Sequence, residues 1–378
     1  MEVLVFKMCY NLHFGSQKEL GVILYEIDHP IRELISKGHQ VTVCTIRRYH
    51  KYAFGGVNCI TWEELPKKIN SFDCAVVFNG PLNCYGGKVS EPALQSYRFL
   101  NQFNKPLFFC VTDTAIPIGN LNKWILSKQD KGLYTELNAD DYTFNPKKIQ
   151  CLTQTHDISK FMNHWDKETN GFGSYKHFPL HMYAMKKDNL HTEINNQPTR
   201  DLIYYGNQRS GKRNKKFQEF FCDQIDLTVD IYGKWKEADI KKMSPIQMPN
   251  LLGPIDTRDL NKEINSALAT VYISDKFNED CIWTTRFYEA IMNRTIMFVD
   301  IDNDPEKKIF DDFFYVQSKE ELYKKVKLLK SDPSARVKLL NNQMLAIRTH
   351  IEEFNRFPEY WDTIIKGAQD GLLIQGKK

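Results

Sequence analysis

The stretch DLIYYGNQRSGKRNKKFQEFFCDQIDLTVDIY, residues 201–232, sets the reading of the fold. Residues 202–205 are a short apolar and aromatic run, which predicts a buried strand. Gly206 ends it. Residues 213–222 predict a helix and residues 227–232 (LTVDIY) a second strand. Strand, helix and strand in so short a span make a βαβ unit, and that unit demands a parallel pair.

The same rhythm runs outward in both directions. Downstream, the sequence predicts a helix over 257–266, a strand over 268–273, a helix over 282–293 and a strand over 295–299. Amphipathic helices follow over 318–329 and 335–354, with a last helix near 359–368 behind Pro358. Upstream, residues 186–200 are polar and poorly periodic and read as a linker. Before it lie strands over 3–6, 40–46, 74–78 and 106–112. Between the first two is a helical stretch over 20–37, interrupted at Pro30 and closed by Gly38. Between the last two is a helix over 90–103, with Ser90 as N-cap and Pro92 in its first turn. Residues 116–187 are less regular. The prediction is an α/β protein of two similar doubly wound halves, whose ligands bind where strand C-termini and helix N-termini meet. A two-Rossmann nucleotide-sugar transferase and a periplasmic-type binding protein both fit. The absence of a signal-peptide pattern at the N-terminus counts against the second.

Composition agrees. The chain has 378 residues, enough at about 150 per domain for two or three domains. It is 42% hydrophobic and 26% charged, which excludes extended disorder, collagen and coiled coil as the main state. Lys and Arg number 51 and Asp and Glu 47, a net +4 that excludes a protein coating nucleic acid by bulk charge but not a local basic groove. No run approaches the ~20 apolar residues of a membrane span. The nine cysteines form no C-x-x-C pair, so reduced buried thiols are expected and zinc is not.

Four segments could carry chemistry. In YYGNQRSGKRNKK, residues 204–216, glycines at a helix start allow close approach of phosphate to backbone N–H groups. Arg209 and Arg213, four apart, could clamp a diphosphate. The segment is not a Walker A loop. The second segment, DKFNEDCIWTTRFYE, residues 275–289, follows a strand. Arg286 and Glu289 share one helix face there, and an ionised carboxylate can accept two sugar hydroxyls. A capping acid and a surface ion pair are the plainer reading of that segment. In the third, Asp113 directly follows the apolar strand PLFFCVT, where partial desolvation would make it a usable general base. Beside it, the loop of Tyr85, Gly86, Gly87 and Lys88 follows another strand. The fourth, Arg47, Arg48, Tyr49, His50 and Lys51, interleaves basic and aromatic residues in the manner of nucleic-acid contacts, or of a solvated loop.

Taken together, LNCYGGK, FFCVTD, KHFPL, DLIYYGNQRSGKR, DIYGK and ISDKFNEDCIWTTRFYEAI resemble, in order and spacing, the phage DNA β-glucosyltransferases, which glucosylate 5-hydroxymethylcytosine in duplex DNA. The resemblance runs from residue 1 to about residue 365. It implies a GT-B fold with an acceptor (DNA) domain over 1–184, a UDP-sugar domain over 185–360 and a helix over 361–378 crossing back. It implies inverting displacement onto a flipped-out base, with Asp113 as catalytic base. Arg209, Arg213 and Arg286 would lie on the diphosphate, and Gly206 would approach it through its amide. Glu289 would bind the ribose, Ile255 the uracil through its backbone, and Glu26 and Asp275 the sugar end. DNA contacts fall to Arg47, Arg48, Lys51, Tyr85 and Lys88. The family uses Mg²⁺ or Mn²⁺ beside UDP, although no DxD motif or ligand cluster is evident. A monomer in the cytoplasm of an infected bacterial host cell, with no membrane partner, is expected.

Three positions depart from the family pattern. His181 replaces a glutamate, Asn278 an aromatic residue, and Ala115 a basic residue two positions after the catalytic acid. The first two touch the sugar end and the third the DNA side. A pentose donor such as UDP-arabinose, 5-hydroxymethyluracil as acceptor base, and a non-DNA acceptor therefore stay open. So does a non-catalytic DNA-binding protein on a decayed transferase fold, although the arginine pair and candidate base argue against it.

Overall fold

The protein is described from a computed structural model over residues 1–7, 31, 34–45, 58–61, 63–78, 99, 102–111, 121–142, 149–153, 177–179, 193–208, 211–255, 257–274 and 285–354. The chain divides into two compact units: Met1–Ala184 with Phe354–Lys378, and Met185–Glu353.

In the first unit the described strands are β1 (Glu2–Lys7), β2 (Gln40–Thr45), β3 (Asn58–Thr61), β4 (Cys74–Phe78), β5 (Leu107–Val111), β6 (Ile149–Thr153) and β7 (His177–Pro179). They form one sheet in the order β3-β2-β1-β4-β5-β6-β7, with every pair parallel. The chain starts in the middle, winds to one edge, then crosses back and winds to the other. The crossing lies between β1 and β4, the switch point of a Rossmann sheet. Val3, Leu4, Val5, Val43, Val76 and Phe108 are buried, as a parallel sheet covered on both faces requires. Gly38 closes the preceding helix with φ +79, and the N–H groups of Gly38 and His39 donate to the carbonyls of Ile35 and Leu34.

The second unit repeats the plan. Strands β8 (Arg200–Tyr205), β9 (Val229–Tyr232), β10 (Asn250–Gly253), β11 (Ala267–Tyr272), β12 (Ile296–Asp300) and β13 (Tyr315–Val316) lie in the order β10-β9-β8-β11-β12-β13, again all parallel. Its switch point lies between β8 and β11. The helix Lys212–Phe221 connects β8 to β9, and its Phe217, Phe220 and Phe221 are buried. At about 1.5–3 kcal/mol for each buried phenylalanine, that face holds the helix on the sheet. The helix Thr285–Met292 connects β11 to β12 and buries Phe287, Tyr288, Ala290 and Ile291.

The sequence reading differs from the structure at the edges. It missed β3, β10 and β13, each of two to four residues, and β6 and β7, which lie in the stretch read as irregular. β3, β7, β10 and β13 are edge strands too short to show a pattern of their own, and β6 lies between β5 and β7. The linker reading also runs one residue too far. Arg200 opens β8, where its guanidinium pairs with Asp230 at 3.0 Å and Glu263 at 2.5 Å. The stretch before it is fastened to the second unit: Arg336 donates to the Asn195 carbonyl at 2.7 Å, and Asn195 donates to that of Asn265 at 3.3 Å. Of the helix read over 90–103, only Phe99, Gln102 and Phe103 are described. The interruption at Pro30 lies outside the described residues.

Candidate functional site

The switch point of the second sheet gathers the charges. Strand β8 ends in Tyr204 and Tyr205, and the backbone then turns at Gly206 with φ +153, a region open to glycine and closed to other residues. A side chain here would also collide with two guanidinium groups. A Cβ on Gly206 would lie 2.7 Å from Nη2 and 2.9 Å from Cζ of Arg286, and 3.3 Å from Nη2 of Arg213. The glycine thus makes the room in which two arginines from different helices meet.

One phenol holds both. Arg213 donates to the Tyr204 hydroxyl through Nε at 3.2 Å and Nη2 at 3.0 Å, and Arg286 donates to it through Nη1 at 3.3 Å. Arg286 also lies over the Tyr204 ring, 5.4 Å from its centroid. Tyr204 is itself fixed edge-on against Phe217 and Phe221, at 5.0 and 4.9 Å between centroids. Arg213 is 7% exposed. Two cations that share one neutral acceptor make a positive spot that suits an anion.

The helix Lys212–Phe221 adds to this positive field. Its first turn carries Lys212 and Arg213 and no acid, against the preference of a helix N-terminus for negative charge. Two lysines are offset by acids at the end of β12. Lys212 pairs with Asp302 at 3.3 Å, and Lys216 with Asp300 at 3.0 Å and Asp302 at 3.3 Å. Burial pushes the Asp300 carboxyl up to about 6, even though Lys216 draws it down. Arg213 and Arg286 both donate to the Tyr204 phenol.

Glu289 lies one turn beyond Arg286 on the same helix and is half-buried. Burial pushes its carboxyl up to about 7, and the positive charge of Arg286 partly offsets that. Burial lowers the pKa of Arg286, but Tyr204, Tyr205, Glu289 and Tyr272 outweigh it, and the net direction is up. Arg286 is folded inward onto Tyr204.

The neighbouring loop completes the floor. Gly206 donates its N–H to the Tyr232 carbonyl at 2.9 Å, so that amide continues the sheet, and the glycine serves the site through the space it leaves. Gly233 donates to the Gly253 carbonyl at 2.8 Å, and Ile255 follows two residues after Gly253. An open cleft runs here, lined by Gln208, Lys234, Trp235, Lys236, Gly253 and Pro254. On the other side, β11 exits through Ser274, whose hydroxyl bonds the Asn303 side chain, while Asn303 donates to the Tyr272 carbonyl at 3.2 Å.

The structure thus brings together Gly206, Arg213, Arg286 and Glu289, with Ile255 at the adjoining strand end. Arg209, Asp275 and Asn278 lie outside the described residues. So do Asp113, Glu26, His181, Arg47, Arg48, Lys51, Tyr85 and Lys88. Sequence reasoning missed Tyr204 and Trp235, since a tyrosine ending a strand and a tryptophan in a turn read as packing. Among the described residues no group of three His, Cys, Asp or Glu side chains is placed to hold a metal ion, and no helix is long and apolar enough to cross a membrane.

No family model matches the chain. Over 319 residues it is 26% identical to the DNA beta-glucosyltransferase of Enterobacteria phage T4, covering 83% of this chain and 87% of that protein. Its fold matches solved structures of T4 phage beta-glucosyltransferase. The form in complex with UDP-glucose superposes with TM-score 0.72 at 20% identity, covering 97% of this chain and 99% of that one. The form with UDP and Mn²⁺ gives 0.74 at 21%, with the same coverage. An Anabaena protein, HepE, solved with UDP-glucose, gives 0.58 at 10% identity, covering 96% and 99%. The resemblance to the phage DNA β-glucosyltransferases implied by the motifs therefore holds in sequence and in the GT-B class of fold.

Proposed function

We propose that this protein is a DNA glycosyltransferase that moves a sugar from a UDP-sugar, UDP-glucose first among the candidates, to the hydroxymethyl group of a modified pyrimidine in duplex DNA. The observation that carries the reading is the pair of guanidiniums, Arg213 and Arg286, converging over Gly206 with a carboxyl one turn away. That is a receptor for a nucleoside diphosphate: two cations for the phosphates and an acid for ribose hydroxyls. The relatives solved with UDP or UDP-glucose point the same way.

In this reading residues 185–360 hold the donor, residues 1–184 the acceptor, and residues 361–378 return to the acceptor half. Asp113 takes the proton of the acceptor hydroxymethyl group. The freed oxygen attacks the anomeric carbon from the face opposite UDP, so the configuration inverts. The C–O bond to the diphosphate breaks, and its electron pair leaves with UDP. Arg209, Arg213 and Arg286 balance the charge that grows on the leaving group. The acceptor base swings out of the duplex, because its hydroxymethyl group is otherwise held in the groove. Arg47, Arg48, Lys51, Tyr85 and Lys88 contact the DNA, and Glu26, Asp275, His181 and Asn278 line the sugar end. The described donors beside the diphosphate position are guanidiniums, which repel a metal ion. A divalent cation would ride on the nucleotide oxygens and water, outside any protein cage.

The test is a mass measurement. The protein is incubated with UDP-glucose and duplex DNA containing 5-hydroxymethylcytosine, and the DNA is digested and its nucleosides weighed. A gain of one hexose is expected, and it is lost in Asp113→Asn while UDP still binds. No added mass with any of a panel of UDP-sugars would sink the reading. The departures at His181 and Asn278 favour including UDP-arabinose in that panel, and Ala115 favours including 5-hydroxymethyluracil DNA.

A further inference from the structure

We infer that Trp235 is a positioning residue for the diphosphate receptor. The inference rests on the transferase reading above. Trp235 touches both groups that place the described cations. Its indole Nε1 donates to the Gly206 carbonyl at 2.7 Å, and its ring meets the Tyr204 ring edge-on at 5.7 Å. Tyr204 supplies the shared hydroxyl, and Gly206 supplies the gap under both guanidiniums. The indole is held in turn by stacking on Phe217, with centroids 4.1 Å apart and planes 25° apart.

The hydrogen bond matters because Gly206 could flip. A glycine followed by an exposed asparagine has little to hold the Gly206–Asn207 peptide in one orientation. Two hydrogen bonds hold it here, and Gly233 packs against it with no room for a side chain. The Asn207 side chain accepts from the Lys234 N–H at 2.9 Å. The indole N–H closes the carbonyl end. Freed of the indole, the peptide gains a second orientation, and the two arginines lose a fixed floor. The phosphates would feel this more than the nucleoside.

That difference gives the test. UDP and uridine affinities are measured by calorimetry on the full chain, with thermal unfolding alongside, for the wild type and Trp235→Phe. Phenylalanine keeps an aromatic ring on Phe217 and deletes the donor. If Trp235→Phe unfolds, the isosteric tryptophan analogue benzothienylalanine at position 235 replaces it, keeping the shape and losing only the N–H. UDP affinity is expected to fall about three- to tenfold, the effect of one hydrogen bond, and uridine affinity to fall clearly less. Unchanged UDP binding, or equal weakening of UDP and uridine, overturns the inference. A wild type that binds no UDP overturns the transferase reading, and this inference with it.

Discussion

Glu289 shows how one half-buried carboxyl ties stability to function. Its carboxyl sits up at about 7, first because of burial, with Arg286 pulling the other way. The folded state therefore holds a proton that the unfolded chain releases near its ordinary value of 4.5. Its contribution to stability is full below that value and is lost as pH rises through about 7. Ligand binding runs in the opposite sense, because the ionised carboxylate is the form that accepts two ribose hydroxyls. UDP affinity should therefore climb between pH 6 and pH 8 while the ligand-free protein becomes slightly less stable. Part of that climb belongs to the phosphate of UDP itself, so the comparison is with Glu289→Gln. Calorimetric titration across this range should show a flatter pH profile and weaker binding at pH 8 in the variant. Identical profiles would place the ribose elsewhere.

At the scale of elements, the site is two turns pressed together, one after β8 and one after β9. Both Gly206 and Gly233 sit at positive φ, but they are needed for different reasons. A methyl on Gly206 meets the ends of Arg286 and Arg213, which are side-chain tips. A methyl on Gly233 meets the backbone of Gly206, which cannot swing aside. Gly233→Ala should therefore unfold at lower temperature than Gly206→Ala. Its cost is on the order of 1–3 kcal/mol for overpacking, on top of the backbone strain both share. Gly206→Ala should keep most of its melting temperature and lose UDP affinity, because it pushes the guanidiniums out of place. Melting curves and UDP titrations of both variants check this, and the reverse order would refute it. The same pair of turns shows what the sequence made legible. Gly206 and Arg213 could be read as a candidate phosphate loop because charge and glycine stand where a strand becomes a helix, whereas Arg286 and Glu289 stood out only through the family resemblance. Tyr204 and Trp235 were not, because their roles depend on a cross-loop contact between residues 29 and 31 positions apart that no local spacing encodes. Outer strands such as β10 and β7 escaped for a related reason. Their pairing is supplied by a neighbour, and their own residues show neither alternation nor an apolar run.

Across the whole molecule the charge nearly cancels, 51 basic residues against 47 acidic, and yet the proposed acceptor is a polyanion. Much of the acidic charge in the second unit is spent internally: Asp300 and Asp302 on Lys212 and Lys216, Asp230 and Glu263 on Arg200, and Asp201 on Lys330 at 3.0 Å. Such pairs are nearly neutral beyond a Debye length of about 10 Å at 0.1 M salt. DNA affinity should therefore come from a few local basic residues and not from the total. Arg47, Arg48 and Lys51 are the proposed ones. Each phosphate contact they make contributes about 0.9 to the slope of log affinity against log salt, so replacing all three with alanine should make the slope shallower by up to about 2.7. UDP affinity should be unchanged in the same variant, since the proposed UDP contacts, Gly206, Arg209, Arg213, Ile255, Arg286 and Glu289, all belong to the second unit. Fluorescence anisotropy with duplex DNA at 50 to 200 mM salt measures the slope. An unchanged slope would mean that the DNA is held by other residues, and a parallel loss of UDP binding would mean that the basic stretch supports the fold instead of the acceptor.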